Sequence, residues 1–140
     1  MRILVRTTLV LLLISLAVAP ALAAGKDLEA TPQGKAYRAL LKTVAAGDYE
    51  GYKKAMTAES AKEMDAQLKE MKMQPKQAMM MLKTMAASDI KLTDLKVDGK
   101  KATLSATGKS DGEPQYGSIQ MAEENGQWKV VQQSWSNKKS

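Results

Sequence analysis

The chain predicts an α+β fold, with N-terminal helices packed on a four-stranded antiparallel sheet. Three observations lead there. Up to Met85, apolar residues recur three and four apart, the spacing of one helix face. Beyond Ser88 they alternate with polar residues, the spacing of half-buried strands. Composition changes at the same place: nearly all Met and Ala lie before Ser88, while Thr, Val, Gly and Trp follow it. Nothing at this boundary has the composition of a linker, and 140 residues suit one two-part domain.

The first segment is predicted to be an address rather than part of the fold. Arg2 and Arg6 precede a stretch, Leu9 to Ala19, that is apolar except for Ser15. Pro20 breaks the stretch, and Ala21-Leu22-Ala23 places small residues where a signal peptidase reads them. Residues 1–23 are therefore expected to be a signal peptide, cleaved after Ala23, and residues 24–140 a single domain in a bacterial periplasm or medium. The apolar run falls well short of the roughly 20 residues of a spanning helix, so no membrane association is expected after cleavage. Gly25 stands where an acylated cysteine would be needed, which excludes a lipid anchor of that kind.

The helical half is punctuated by caps and breakers. Thr31-Pro32 is a helix start, a capping hydroxyl followed by proline in the first turn. Tyr37, Leu40, Leu41, Val44 and Ala45 form its apolar face, and Gly47 stops it. Asp48 caps a short second helix carrying Tyr49, Tyr52, Lys53 and Met56. Thr57 caps a third, with Met64, Leu68 and Met71 on one face and an Asp65–Lys69 pair four apart. Pro75 opens a fourth, running to about Ala87, whose inner face is predicted to be Ala78, Met81, Leu82 and Met85.

Four strands follow. Ile90 and Leu92 alternate, then Leu95 and Val97 alternate with opposite parity, which predicts a bulge near Thr93-Asp94. Asp98-Gly99 is a hairpin turn. Ala102, Leu104 and Ala106 face one side of the second strand. Lys109 to Pro114 reads as a polar loop, and Gly117, Ile119 and Met121 alternate in the third strand. Glu124-Asn125-Gly126 turns the chain into a fourth, where Trp128 and Val130 share a face and Trp135 lies near the end.

The hairpin Leu95-Lys96-Val97-Asp98-Gly99-Lys100-Lys101-Ala102 is followed by Gly117, Glu123-Glu124-Asn125-Gly126, Gln127-Trp128-Lys129-Val130 and Ser134-Trp135. Together with the helical Ala45-Ala46-Gly47-Asp48-Tyr49, this order resembles the nuclear transport factor 2-like superfamily, in particular its small secreted bacterial domains of unknown function. The resemblance covers most of residues 31–136. It implies a cone-like fold: a curved antiparallel sheet closed over by helices, with a pocket between them. The superfamily holds both enzymes and non-catalytic binding modules, so the fold alone leaves activity open.

Composition excludes several chemistries. With no Cys and no His there is no disulfide, thiolate nucleophile, imidazole base or Cys/His metal site. The formal charge is +6, but after residue 23 the only arginine is Arg38, and the lysines are dispersed. A nucleic-acid partner is not expected. Acidic residues fall in caps, turns and solvated helix faces, with Asp89 and Asp94 the least settled, so no catalytic residue is assigned. Met56, Met64, Met71, Met73, Met79, Met80, Met81 and Met85 read first as adaptable core in a chain without Phe. Their second reading is a soft-donor Cu(I) site, opposed by the splay of consecutive residues around a helix. No metal site or cofactor is assigned from the sequence.

The expected function is an exported, non-catalytic binding or assembly module. It would hold a small apolar ligand in the cone through Tyr37, Tyr52, Met81, Met85, Tyr116 and Trp135, or bind a protein partner. A homodimer through the convex side of the sheet is one such partner. The alternatives are a cone-fold enzyme using Asp and Tyr without metal, and a Met-based periplasmic Cu(I) carrier.

Overall fold

The computed structural model describes residues 27–139. The predicted signal segment and its cleavage point lie outside the described residues. Four helices precede four strands: α1 Pro32–Ala46, α2 Tyr49–Ala55, α3 Ala58–Glu70, α4 Pro75–Met85, β1 Ser88–Asp98, β2 Lys101–Ser110, β3 Glu113–Glu124 and β4 Gln127–Ser136. A short 3-10 turn, Leu28–Ala30, leads into α1.

The predicted caps form. The Thr31 hydroxyl accepts the Gly34 N–H at 3.0 Å and donates to the Leu28 carbonyl at 2.6 Å, which fastens the 3-10 turn to α1. Gly47 ends α1 in the left-handed region (φ 67°), where a side chain would be strained. Asp48 accepts the Gly51 N–H at 2.9 Å and Thr57 accepts that of Ser60 at 3.3 Å, opening α2 and α3. The Gln77 side chain accepts the Gln74 N–H at 3.1 Å at the start of α4. That helix stops at Met85 rather than near Ala87, because Ala86 is already extended and β1 begins at Ser88.

The strands form a meander in the order β1-β2-β3-β4, each antiparallel to the next. Asn125 (φ 51°) and Gly126 (φ 77°) make the tight turn that the sequence predicts between β3 and β4. The segment read as a polar loop is a second such turn, Asp111 (φ 50°) and Gly112 (φ 80°), with Lys109 paired to Pro114 and Ser110 to Glu113. The expected bulge on β1 lies between Leu92 and Asp94.

β1 has another register shift between Ser88 and Lys91, and a further bulge lies on β4. Gln120 pairs with Gln132 and Met121 with Val130, so Val131 is an extra residue. Side chains alternate faces along a strand, and one extra residue reverses the parity beyond it. Trp128 and Val130 therefore share the helix-facing side with Gln133 and Trp135, opposite Ile119 and Gly117, instead of with Gln132 and Ser134.

The core lies between the helices and this face. Tyr37, Leu40 and Val44 of α1, Tyr52 of α2 and Met79 of α4 meet Leu95, Ala102, Leu104, Ala106, Ile119, Met121 and Val130. Tyr37, Leu40, Leu104 and Ile119 have no exposed surface.

The curved, cone-like sheet implied by the family resemblance does not form. The sheet is neither curved around a pocket nor closed: β1 and β4 are its two edges and do not pair with each other. Four strands are too few for closure, which takes about eight in the smallest side-chain-filled barrels. The space a cone would leave open is filled by the large side chains of α1, α2 and α4. Part of the β4 edge is covered, since Met56 bridges Val130 and the Thr57 N–H donates to the Val130 carbonyl at 3.0 Å.

Trp135 shows how closely the interior is fitted. Its indole lies across β3 onto β2, and a Cβ on Gly117 would stand 2.8 Å from the ring. Gly117→Ala is expected to lose about 1–3 kcal/mol through overpacking and to displace the indole. Urea denaturation with tryptophan emission measures both. An unchanged midpoint and emission would show that the ring does not sit on β3.

Candidate functional site

Two arrangements stand out, one inside the fold and one on the far side of the sheet. Inside, the β4 bulge delivers Gln133 beneath α1 and α2. The Tyr37 hydroxyl donates to Gln133 Oε1 at 2.9 Å, and the Trp135 indole N–H donates to the same oxygen at 3.2 Å. The Gln133 carboxamide also acts on the Tyr52 phenol, whose ionised form it favours. Burial pushes Tyr37 up to about 12, against the Trp135 N–H, which favours the ionised phenol. Burial likewise raises Tyr52. No buried side-chain nitrogen or oxygen among the described residues lacks a partner. The cluster thus satisfies itself, as a buried polar network must.

Three of the residues predicted to hold a ligand, Tyr37, Tyr52 and Trp135, are brought together here. Tyr116 is not: it lies on the opposite side of the sheet, paired with Thr107 and Ser136. Met81 and Met85, read as the inner face of α4, turn outward and are 50% and 73% exposed. Ala78 is buried as expected and Leu82 is half-buried, and Met79 takes the inner place expected of Met81 and Met85. Gln133, the hub, was not among the predicted residues.

No described hydrogen bond brings a carboxylate to Tyr37, Tyr52 or Tyr116. The tyrosine–carboxylate pair that forms is an outer one: Tyr49 donates to Asp65 Oδ1 at 2.6 Å, and Lys53 Nζ lies 3.2 Å from Asp65 Oδ2. Asp65 therefore clasps α2 to α3 and not Lys69. The Lys53 ammonium also stands 5.0 Å from the Tyr49 ring centroid. The hydrogen bonds of Tyr49 and Lys53 hold Asp65 below the usual carboxylate range. Desolvation and Asp65 push the Tyr49 phenol up. General acid–base work needs a group poised near the working pH, and these two groups move away from it in opposite directions. Asp89 is exposed and Asp94 half-buried on β1.

On the outer side of the sheet lies an open cavity of about 630 Å³, lined by residues that include Lys96, Asp98, Thr103, Gln120, Ala122 and Val131. Its volume is in the range of small-molecule sites. Ala122 and Val131 continue into a second cavity of about 440 Å³ walled by Thr57, Glu59, Ser60 and Glu63 at the start of α3. Glu124 accepts the Ala58 N–H at 2.8 Å and holds that helix end to the sheet. Among the described residues no three acidic groups cluster as a metal site, and no helix is long and apolar enough to cross a membrane.

Comparison with known protein families, with curated proteins and with solved structures finds no match to this chain.

The raised phenol of Tyr37 has a definite consequence. Its folded value, about 12, exceeds the unfolded value of about 10. The stabilisation is complete below pH ~10 and is lost as pH rises towards ~12, at up to about 1.4 kcal/mol per pH unit. Urea midpoints measured across this window are expected to fall less steeply for Tyr37→Phe than for the native chain. Parallel slopes would contradict the assignment.

Proposed function

We propose that this chain is an exported, non-catalytic binding or assembly module that works through the outer face of its sheet. The observation that carries this reading is the contrast between the two sides of the sheet. The helix-facing side is filled and its polar groups are paired, whereas the outer side bears the open cavity of about 630 Å³. Among its lining residues Ala122 and Val131 offer apolar surface, and Lys96 and Asp98 offer charge. Small-molecule sites have this mixture, an apolar surface with a few polar groups that fix orientation. The N-terminal signal-like segment supports the place of action, outside the cytoplasm. Under this proposal the chain is a divergent relative of the nuclear transport factor 2-like superfamily, keeping the helix-then-sheet order without the pocket.

Native mass spectrometry of the protein recovered from cells tests the reading. A bound mass, either a small molecule or a second protein chain, is expected on the native chain. It is expected to be lost from Thr103→Arg and Ala122→Arg, which crowd the outer face without touching the core. A bare monomer, or a bound mass that both variants retain, would overturn the proposal.

A further inference from the structure

We propose that the outward face of α4 binds one soft monovalent metal ion, Cu(I) or its surrogate Ag(I), through the thioethers of Met80, Met81 and Met85. The inference does not depend on the outer sheet face.

The helix divides its methionines. Ala78 and Met79 go to the core, with Leu82 half-buried behind them. Gln77, Met80, Met81, Thr84 and Met85 follow at the spacing i, i+3, i+4, i+7, i+8, so they share the opposite stripe. They line one shallow depression of about 430 Å³. Met80 is 62% exposed, Met81 50% and Met85 73%. Met79 turns inward and drops out of the set. Met80 and Met81 still diverge by about 100° around the axis, on either side of the line through Gln77 and Thr84, so their flexible side chains must lean towards that line to meet.

The side-chain oxygens of the depression are already engaged. The Thr84 hydroxyl donates to the Met80 carbonyl at 2.9 Å, and Gln77 Oε1 accepts the Gln74 N–H. No carboxylate lines it. The three thioether sulfurs remain as donors. They are neutral and soft, and suit Cu(I) or Ag(I) rather than Mg²⁺ or Ca²⁺. Met81 and Met85 lie one turn apart and Met80 flanks them, while three rotatable bonds let each sulfur swing towards a shared point. Lys76 and Lys83 border the stripe beside Met80. At equal distance their charge opposes a dication twice as strongly as a monocation. Binding changes no oxidation state and releases no proton.

The purified chain is titrated with Ag(I), and with Cu(I) under anaerobic reducing conditions against a colorimetric Cu(I) chelator, and followed by native mass spectrometry. One ion per chain is expected. It should be absent from the triple variant Met80→Leu, Met81→Leu, Met85→Leu, which keeps the apolar volume and whose helix content circular dichroism checks. It should persist in Thr103→Arg and Ala122→Arg. Bound Ag(I) should also slow peroxide oxidation of Met80, Met81 and Met85 but not of Met71, which is exposed outside the depression. A native chain that takes up no ion, or a triple variant that binds it equally well, would overturn the proposal. So would a doubled protein mass without metal that survives both the leucine substitutions and the Thr103→Arg and Ala122→Arg changes, since it would assign the α4 face, and not the outer sheet face, to an apolar contact between two copies.

Discussion

Val131 has no partner on β3, and the parity of the last strand turns on it. Strict alternation from Trp128 and Val130 would carry Gln132 and Ser134 to the helices. The extra residue carries Gln133 and Trp135 there instead. Gln133 supplies the acceptor shared by the Tyr37 hydroxyl and the Trp135 indole. Trp135 brings a ring that only glycine at 117 accommodates. Val131 itself lies on the outer side, where it lines both cavities. A local irregularity thus joins the filled inner side to the open outer one.

The consequence is a contrast between the two faces of the sheet. α1, α2 and α4 place Tyr37, Leu40, Tyr52 and Met79 into the space where an enclosing sheet would keep a pocket. Burial raises both phenols there, and the Tyr37 hydroxyl donates to an amide rather than a carboxylate. Surfaces available to a partner are on the outside, on the free face of the sheet and on the methionine stripe of α4. Asp65 and Tyr49, the one tyrosine–carboxylate contact among the described hydrogen bonds, tie two helices together.

Much of the fold was legible because local signals act locally. Thr31, Asp48 and Thr57 cap helices as their hydroxyls and carboxylate require, Gly47 takes the left-handed stop, and the parity change from Leu92 to Leu95 announced the β1 bulge. The β4 bulge carried no such mark, since Gln132 and Gln133 are equally polar and either could face solvent. For that reason Gln133 was invisible as a site residue. Asp111-Gly112 was a readable turn signal hidden in a polar stretch. On α4, the run Met79-Met80-Met81-Leu82 is apolar at every phase, so periodicity could not tell which methionine faces the core. The cone came from resemblance, and closure depends on pairing between distant strand edges, which no motif in the chain encodes.

A single-cysteine labelling scan of β4 tests this account most directly, since the chain has no cysteine of its own. Gln132→Cys, Gln133→Cys and Ser134→Cys are compared for reaction with a water-soluble maleimide in the folded protein. The β4 bulge predicts fast labelling at 132 and 134 and protection at 133. Protection at 132 and 134 with fast labelling at 133 would mean that the strand runs without the extra residue, and the inner hub would then be wrong.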